Sequence, residues 1–261
     1  YNTESWMGRA MYNYADRYFA YASVMRQASS AFHPDHRWGT FWSASAGWML
    51  SKENWFKAKW VNELKLKASY GENGNDQGMR YSYYYTNRYG ISNSNGNIAL
   101  TPSTTKGNEE LTWEKNSKFN AGVDFSLFNG RLSGSAEYYN NRTIDMLATI
   151  PYPPTLGYTS ALANVGNMSN QGFELDLRGD AIRTKDFTWS LYANISTNQN
   201  KITMLHEERK KQEYDGYFGY SSGNYYYTEG LSRYTYFGNK YAGVYNEETY
   251  ALTGDAEYNP A

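Results

Sequence analysis

Imidazole is scarce in this chain: His33, His36 and His206 are the whole supply, and cysteine is absent. His33-Pro34-Asp35-His36 sets two imidazoles and a carboxylate within one short stretch, donor types that suit a divalent transition metal. Pro34 fixes a turn there and no further ligand is identifiable, so the stretch reads as a solvated loop and no metal site is expected. The run ENGNDQG at 72–78 is rich in oxygen donors but lacks the regular spacing and terminal Glu of a calcium loop; it reads as a Gly/Asn turn. Glu174 and Asp176 stand two apart, whereas a glycosidase pair needs a defined separation across a cleft. The simpler reading is two charges in a polar network. No G-x-S-x-G, H-E-x-x-H or P-loop pattern occurs, and the lack of cysteine excludes disulfides, thiol nucleophiles and Cys-ligated zinc. With all three histidines in expected loops, no nucleophile and base can be paired. The chain is expected to be no enzyme and to need no cofactor.

What the chain has in excess is tyrosine: 28 Tyr, with 8 Trp and 11 Phe, make it 18% aromatic. Clusters fall at 81–89 (YSYYYTNRY), 214–227 (YDGYFGYSSGNYYY) and 233–237 (RYTYF). Tyrosine offers flat apolar area, a polar tip and few rotatable bonds, which suits stacking on sugars or packing on peptides. Folding the loops on themselves, or docking a partner, would use the same residues, and the sequence leaves both open.

The elements that must carry these clusters are strands. Apolar and polar residues alternate strictly at 64–70, 118–127, 132–139, 173–178 and 187–196, and period two means β. Phe119, Ala121, Val123, Phe125 and Leu127 oppose Lys118, Asn120, Gly122, Asp124 and Ser126; Phe173, Leu175 and Leu177 oppose Glu174, Asp176 and Arg178. Across these segments the apolar faces hold no charge and the polar faces hold eight. Residues 40–50 put Trp42, Ala44, Ala46, Trp48 and Leu50 on one face; 18–26 and 6–14 are weaker strands. Asn129-Gly130 reads as a tight hairpin turn. Short joins are expected near 15–17, 51–61, 129–130 and 179–186, and long ones near 28–37, 71–116, 140–171 and 198–235.

Formal net charge is -1, which argues against a nucleic-acid surface. Mean hydropathy is -0.80, and no stretch approaches the roughly 18 apolar residues of a membrane helix. Composition alone favours a polar, Tyr-rich soluble β protein. A spanning strand, however, needs only about 10 residues with every second one apolar. Loops longer than about 15 residues are uncommon in compact soluble domains. Short turns at one end and long loops at the other are what outer-membrane barrels show. In such a barrel lipid covers the apolar face and a wet or plugged lumen meets the polar one.

Several stretches carry a family likeness: RWGTFWSASAGWML (37–50), WVNELKLKASYGENGN (60–75), LTWEKNSKFNAGVDFSLFNGRLSGSAEYYNNRTIDML (111–147), NVGNMSNQGFELDL (164–177) and FGNKYAGVY (237–245). In this order they resemble the C-terminal barrel region of SusC/RagA-type TonB-dependent outer-membrane transporters. Asn73, where Thr is common, and MRQAS at 25–29, in place of a basic pair followed by Asp-Gly, are departures that bear on subfamily.

The resemblance implies an all-β fold: a transmembrane antiparallel up-and-down β-barrel of about 22 strands, with long extracellular loops and short periplasmic turns. Residues 1–261 are then part of that barrel domain, with about nine strands, and the plug domain and closing strand are absent from the chain. It further implies the outer membrane of a Gram-negative bacterium, a SusD-like lipoprotein lid, and TonB acting through the absent N-terminal region. The cargo would be an oligosaccharide or peptide, with membrane lipid around the wall. Tyr83, Tyr84 and Tyr85, in the longest early loop, are the candidate substrate or lid contacts. The alternative is a soluble Tyr-rich β-sandwich that binds carbohydrate.

Overall fold

A computed structural model describes residues 1–76, 79, 83–94 and 96–238. In chain order the strands are β1 (Thr3–Tyr14), β2 (Tyr18–Ser29), β3 (Trp38–Met49), β4 (Val61–Asn75), β5 (Tyr89–Ser94), β6 (Asn97–Pro102), β7 (Thr105–Lys106) and β8 (Glu114–Leu127). They continue as β9 (Leu132–Pro151), β10 (Ser160–Arg183), β11 (Thr188–Ser196), β12 (Gln199–Leu205), β13 (Gln212–Tyr214), β14 (Tyr217–Ser222) and β15 (Tyr225–Thr228). Among the described residues the only helical pieces are short 3₁₀ turns.

One antiparallel sheet runs β1-β2-β3-β4-β8-β9-β10-β11, each strand beside its predecessor along the meander. β12 pairs with the same strand as β11, since β10 meets β11 through Glu174–Arg183 and β12 through Gly166–Gln171. β11 and β12 are therefore one path broken at Thr197 and Asn198. Among the described residues the wall has eight long strands, against the expected count of about nine, and its edges, β1 and β11, do not pair with each other.

Register turns the local alternation into two continuous faces. One row reads Tyr12, Ala20, Ala46, Ala68, Ala121, Tyr138, Phe173 across seven neighbouring strands. The next in phase reads Tyr14, Tyr18, Trp48, Leu66, Val123, Ala136, Leu175, Ile195. A slip of one residue anywhere would turn a whole strand inside out, and none of these pairings slips along the apolar rows. Yet this face is not covered: Trp42, Phe173, Leu191 and Ile195 all stay exposed. An uninterrupted exposed apolar surface across eight strands is far larger than a soluble monomer tolerates in water.

The opposite face is polar and braced by charge. Lys67 on β4 reaches Asp124 on β8 at 2.9 Å and Glu137 on β9 at 3.1 Å. Lys65 lies over the Phe19 ring and Arg178 over Tyr192. Glu174 sits between Glu137 and Ser196 in the register, on this same face.

The connections segregate by end. Residues 15–17, 50–60, 128–131 and 184–187 close one end; 30–37, 76–113, 152–159 and the stretch after β12 close the other. Asn129 and Gly130 adopt positive φ as expected, and Phe128 joins them at φ 56. That backbone holds the Phe128 ring stacked on Trp60, 5.7 Å away, while Phe128 N–H donates to the Trp60 carbonyl. At the same end Tyr12, Tyr14, Tyr18, Trp48 and Trp55 form a chain of rings, each within 6.5 Å of the next. Glu53 ties it down by accepting from the Tyr18 hydroxyl at 2.7 Å and the Trp48 indole at 2.9 Å. Those two donors, the tyrosine first, hold the Glu53 carboxyl below the ordinary carboxylate range.

Two expectations are corrected here. The long loop at 140–171 is mostly strand: β9 runs on to Pro151 and β10 starts at Ser160, leaving a connection of 152–159. Asn140, Asn141, Asn164 and Asn167 interrupt the alternation there and the register shifts at Asn164/Gly166 and Gly166/Met168, so the unbroken period ends before the strand does, although Ile150, Ala161, Ala163 and Val165 form a second buried cluster in this extension. Likewise Glu72–Asn75 belong to β4 and not to a turn; Gln77 and Gly78 lie outside the described residues.

Candidate functional site

The long-loop end is built on a cluster on the polar face. Phe41 of β3 is buried with Ala31, Phe32, Met79, Leu111 and Trp113. Room for the Phe41 ring comes from two glycines: a Cβ on Gly39 would stand 2.5 Å from its Cζ, and one on Gly74 2.1 Å. Trp113 meets Phe41 edge-on at 5.6 Å and donates its indole N–H to the Arg37 carbonyl at 2.9 Å. The 30–37 and 76–113 connections are thereby clamped to each other and to the wall. Asp76, itself buried, accepts from the Ser29 hydroxyl at 2.8 Å and from Tyr1. Asn164 holds Thr112 through both its amide and its carbonyl, joining the same loop to β10.

On this base the three candidate tyrosines take different positions. Tyr84 points inward and packs against the Phe41–Trp113 cluster. Its carbonyl accepts from Asn108 N–H at 2.9 Å, and the Arg88 guanidinium lies 5.0 Å above its ring. Tyr83 occupies the corner at φ 40, its ring exposed, with Thr86 N–H and hydroxyl donating back to its carbonyl. Tyr85 stands edge-on to Tyr83 at 6.2 Å and to His33 at 5.9 Å. The three do not make one flat platform. Tyr84 anchors the loop, and Tyr83 with Tyr85 and His33 forms a ring group above it.

His33 does little else. Its Nδ1 accepts from Asp35 N–H inside a 3₁₀ turn over Pro34–His36. Among the described residues no three His, Asp or Glu side chains converge in a way that could hold a metal.

The second aromatic group lies beyond β12, where β13, β14 and β15 form a small antiparallel sheet of their own. Tyr226 is buried, stacks obliquely on Phe237 at 5.3 Å, and donates its hydroxyl to the carbonyls of Gln212 and Tyr217. Tyr220 and Tyr227 stack at 5.0 Å, with the Arg209 guanidinium 4.5 Å from the Tyr220 ring. Lys210 lies between Glu229, at 2.9 Å, and Glu207, at 3.0 Å, and these two carboxylates raise its pKa. The self-folding reading of the Tyr-rich stretches thus applies to part of them. Tyr214, Tyr220, Tyr226 and Tyr227 fold the loop on itself, while Tyr217, Phe218, Tyr225, Tyr234 and Tyr236 remain exposed. Phe32, Phe41 and Trp113, which carry the mouth, drew no notice as sequence. The available signal was Gly39, with no turn to explain it; Gly74 lay inside the stretch read as a Gly/Asn turn.

This end presents a tyrosine-faced surface on a buried aromatic base. A family model described as TonB dependent receptor-like, beta-barrel matches residues 1–261. TonB-dependent receptor P39 of Formosa agariphila is 34% identical over 250 residues, 95% of this chain and 23% of that protein. TonB-dependent receptor SusC of Bacteroides thetaiotaomicron is 35% identical over 209 residues, 77% of this chain and 21% of that protein. Among solved structures, the RagAB peptide importer in its open-open state superposes with a TM-score of 0.81 at 29% identity, covering 93% of this chain and 26% of that one. The chain thus spans about a quarter of the length of these relatives.

Proposed function

The chain belongs to the TonB-dependent receptor-like β-barrel family, of the SusC/RagA type, and on that premise we propose that it forms wall and mouth of an outer-membrane nutrient importer. The carrying observation is the register: eight strands align one face whose apolar rows hold no charge and stay uncovered against one polar face braced by Lys67, Asp124 and Glu137. Hydrocarbon covers the first and a plugged lumen meets the second. The wall would be part of a barrel of about 22 strands, with the plug and the TonB-contacting segment supplied by sequence outside these 261 residues. The 30–37, 76–113, 152–159 and 206–238 connections would then be extracellular, and the four short joins periplasmic.

Cargo would be an oligosaccharide or peptide taken at the mouth and covered by a SusD-like lipoprotein lid. The peptide class is supported by one relative, the RagAB peptide importer. Transport asks little chemistry of the wall. It asks for a surface that binds without reacting and a lumen whose polar lining lets a hydrated solute pass once the plug moves. Tyr83 and Tyr85 are proposed as the substrate or lid contacts, with Tyr84 positioning them.

The test is uptake. In the full-length importer, Tyr83→Ala with Tyr85→Ala should lower uptake several-fold at unchanged surface level. Uptake equal to the parent would remove these tyrosines from the binding surface.

A further inference from the structure

Above its apolar rows the outward face carries cations with nothing to neutralise them. Register places Glu72, Ser117, Arg142, Ser169 and Lys201 in one straight row across five neighbouring strand paths, in phase with Phe119, Tyr138 and Ile195. Lys115 is one step higher on the same face of β8. Arg142, Lys201 and Lys115 are exposed and, among the described residues, make no ion pair, hydrogen bond or ring contact. Arg26, on the same face of β2, instead lies over Trp38 at 5.1 Å. Glu72 is the only carboxylate in the row and is engaged by the Tyr70 hydroxyl at 2.9 Å.

Height decides what these cations meet. Arg142 is ten residues beyond Leu132, where the apolar face of β9 begins. That is about 33 Å along the strand at roughly 3.3 Å per residue, or about 25 Å along the membrane normal at a tilt of about 40°, the height of a barrel's apolar band. Just below them Asn140, Gln171 and Gln199 form a row of amides, with Gln171 donating to Gln199 at 3.0 Å. The sequence from hydrocarbon-facing rings to amides to unpaired cations matches a lipid's own order, acyl chain to sugar or glycerol to phosphate.

We propose that Arg142, Lys201 and Lys115 form a docking site for the phosphates of an outer-leaflet glycolipid whose acyl chains lie on Phe119, Tyr138 and Phe173. The inference rests on the reading of this face as lipid-covered. Neighbouring strands are about 4.8 Å apart, so the Arg142 and Lys201 backbones stand about 10 Å apart, two strand steps, a spacing suited to two phosphates on one headgroup.

The experiment uses the full-length importer in detergent, with lipid retention read by native mass spectrometry. The probes are diphosphoryl lipid A and the same lipid fully dephosphorylated, with inorganic phosphate as competitor. The wild-type protein should retain the diphosphoryl form at least tenfold better. Removing Arg142 and Lys201 together (R142Q/K201Q) should erase most of that preference, by roughly fivefold per cation, while the lumen-facing K118Q changes nothing. Equal retention of both lipids, or full displacement by millimolar phosphate, overturns the site and leaves the barrel standing. Retention of neither lipid, with a protein soluble without detergent, would overturn the barrel reading as well. The two-lipid comparison on the wild type decides the matter even if the double variant fails to assemble.

Discussion

Ser135 and Ala136 are neighbours on β9 with opposite fates. Ala136 lies between Val123 and Leu175 on the apolar face, and Ser135 lies between Asp124 and Asp176 on the polar face. Ala136 is four residues beyond Leu132, about 10 Å up an apolar band about 25 Å high, which puts it close to the midplane. Arginine there costs about 2–4 kcal/mol if lipid covers the face. At about 1.4 kcal/mol per factor of ten, that shifts the folding equilibrium by roughly 30- to 700-fold. Arginine at 135 gains two carboxylate neighbours in a wet lumen, and its effect should stay within about 1 kcal/mol. The assay is reversible urea unfolding of the full-length protein in lipid vesicles, with A136R and S135R measured side by side. A136R should lower the midpoint strongly and S135R hardly at all. Equal effects from the two substitutions would refute the assignment of faces.

Other outcomes follow from the mouth and the turns. Phe41→Ala removes the ring at the centre of the loop cluster, a loss of about 3–5 kcal/mol; limited proteolysis should then cut within 76–113 while the strands stay protected, and unchanged protection of that loop would count against the clamp. Gly74→Ala forces a Cβ to within 2.1 Å of Phe41 Cζ, so it should destabilise by about 1–3 kcal/mol, and by much less in a Phe41→Ala background; additive losses in thermal unfolding would contradict the close approach. Because the Glu53 carboxyl is held below its unfolded pKa by Tyr18 and Trp48, the stability it lends is present above about pH 4.3 and is lost as pH falls through its folded pKa. Tryptophan fluorescence should report loosening of the Trp48–Trp55 end on acidification, and Glu53→Gln should flatten that transition; an identical acid profile in the variant would exclude the mechanism.

Much of the wall was legible because period two is read directly from residues such as Phe119 to Leu127, and because Asn129-Gly130 marks its own turn. What escaped lies where alternation stops carrying information. Between Asn140 and Gln171 β9 and β10 continue as strands around a second buried cluster, Ile150 with Ala161, Ala163 and Val165, but register shifts at Asn164/Gly166 and Gly166/Met168 break the period that would announce it. β12 falls inside the long connection expected near 198–235, although it continues the path of β11 along the same partner. The mouth was hidden for a different reason. Trp113 is far along the chain from Phe32 and Phe41 and meets them only once the strands are in register, and Phe41 sits on the polar face, where an aromatic looks like an exception. The tyrosine runs announced a surface, but only packing separates Tyr84, turned inward, from Tyr83 and Tyr85.

The claim beneath all of this is that lipid chains, and not water or protein, lie against the face bearing Phe119, Leu175 and Trp189. Cysteine is absent from the chain, so within it single cysteines can carry nitroxides at 175 and 176, one on each face of β10. In vesicles the label at 175 should collide freely with oxygen and poorly with a water-soluble nickel chelate, with the opposite result at 176. A label at 175 that is shielded from both, as beneath a second sheet, or open to nickel, as in water, would contradict the account.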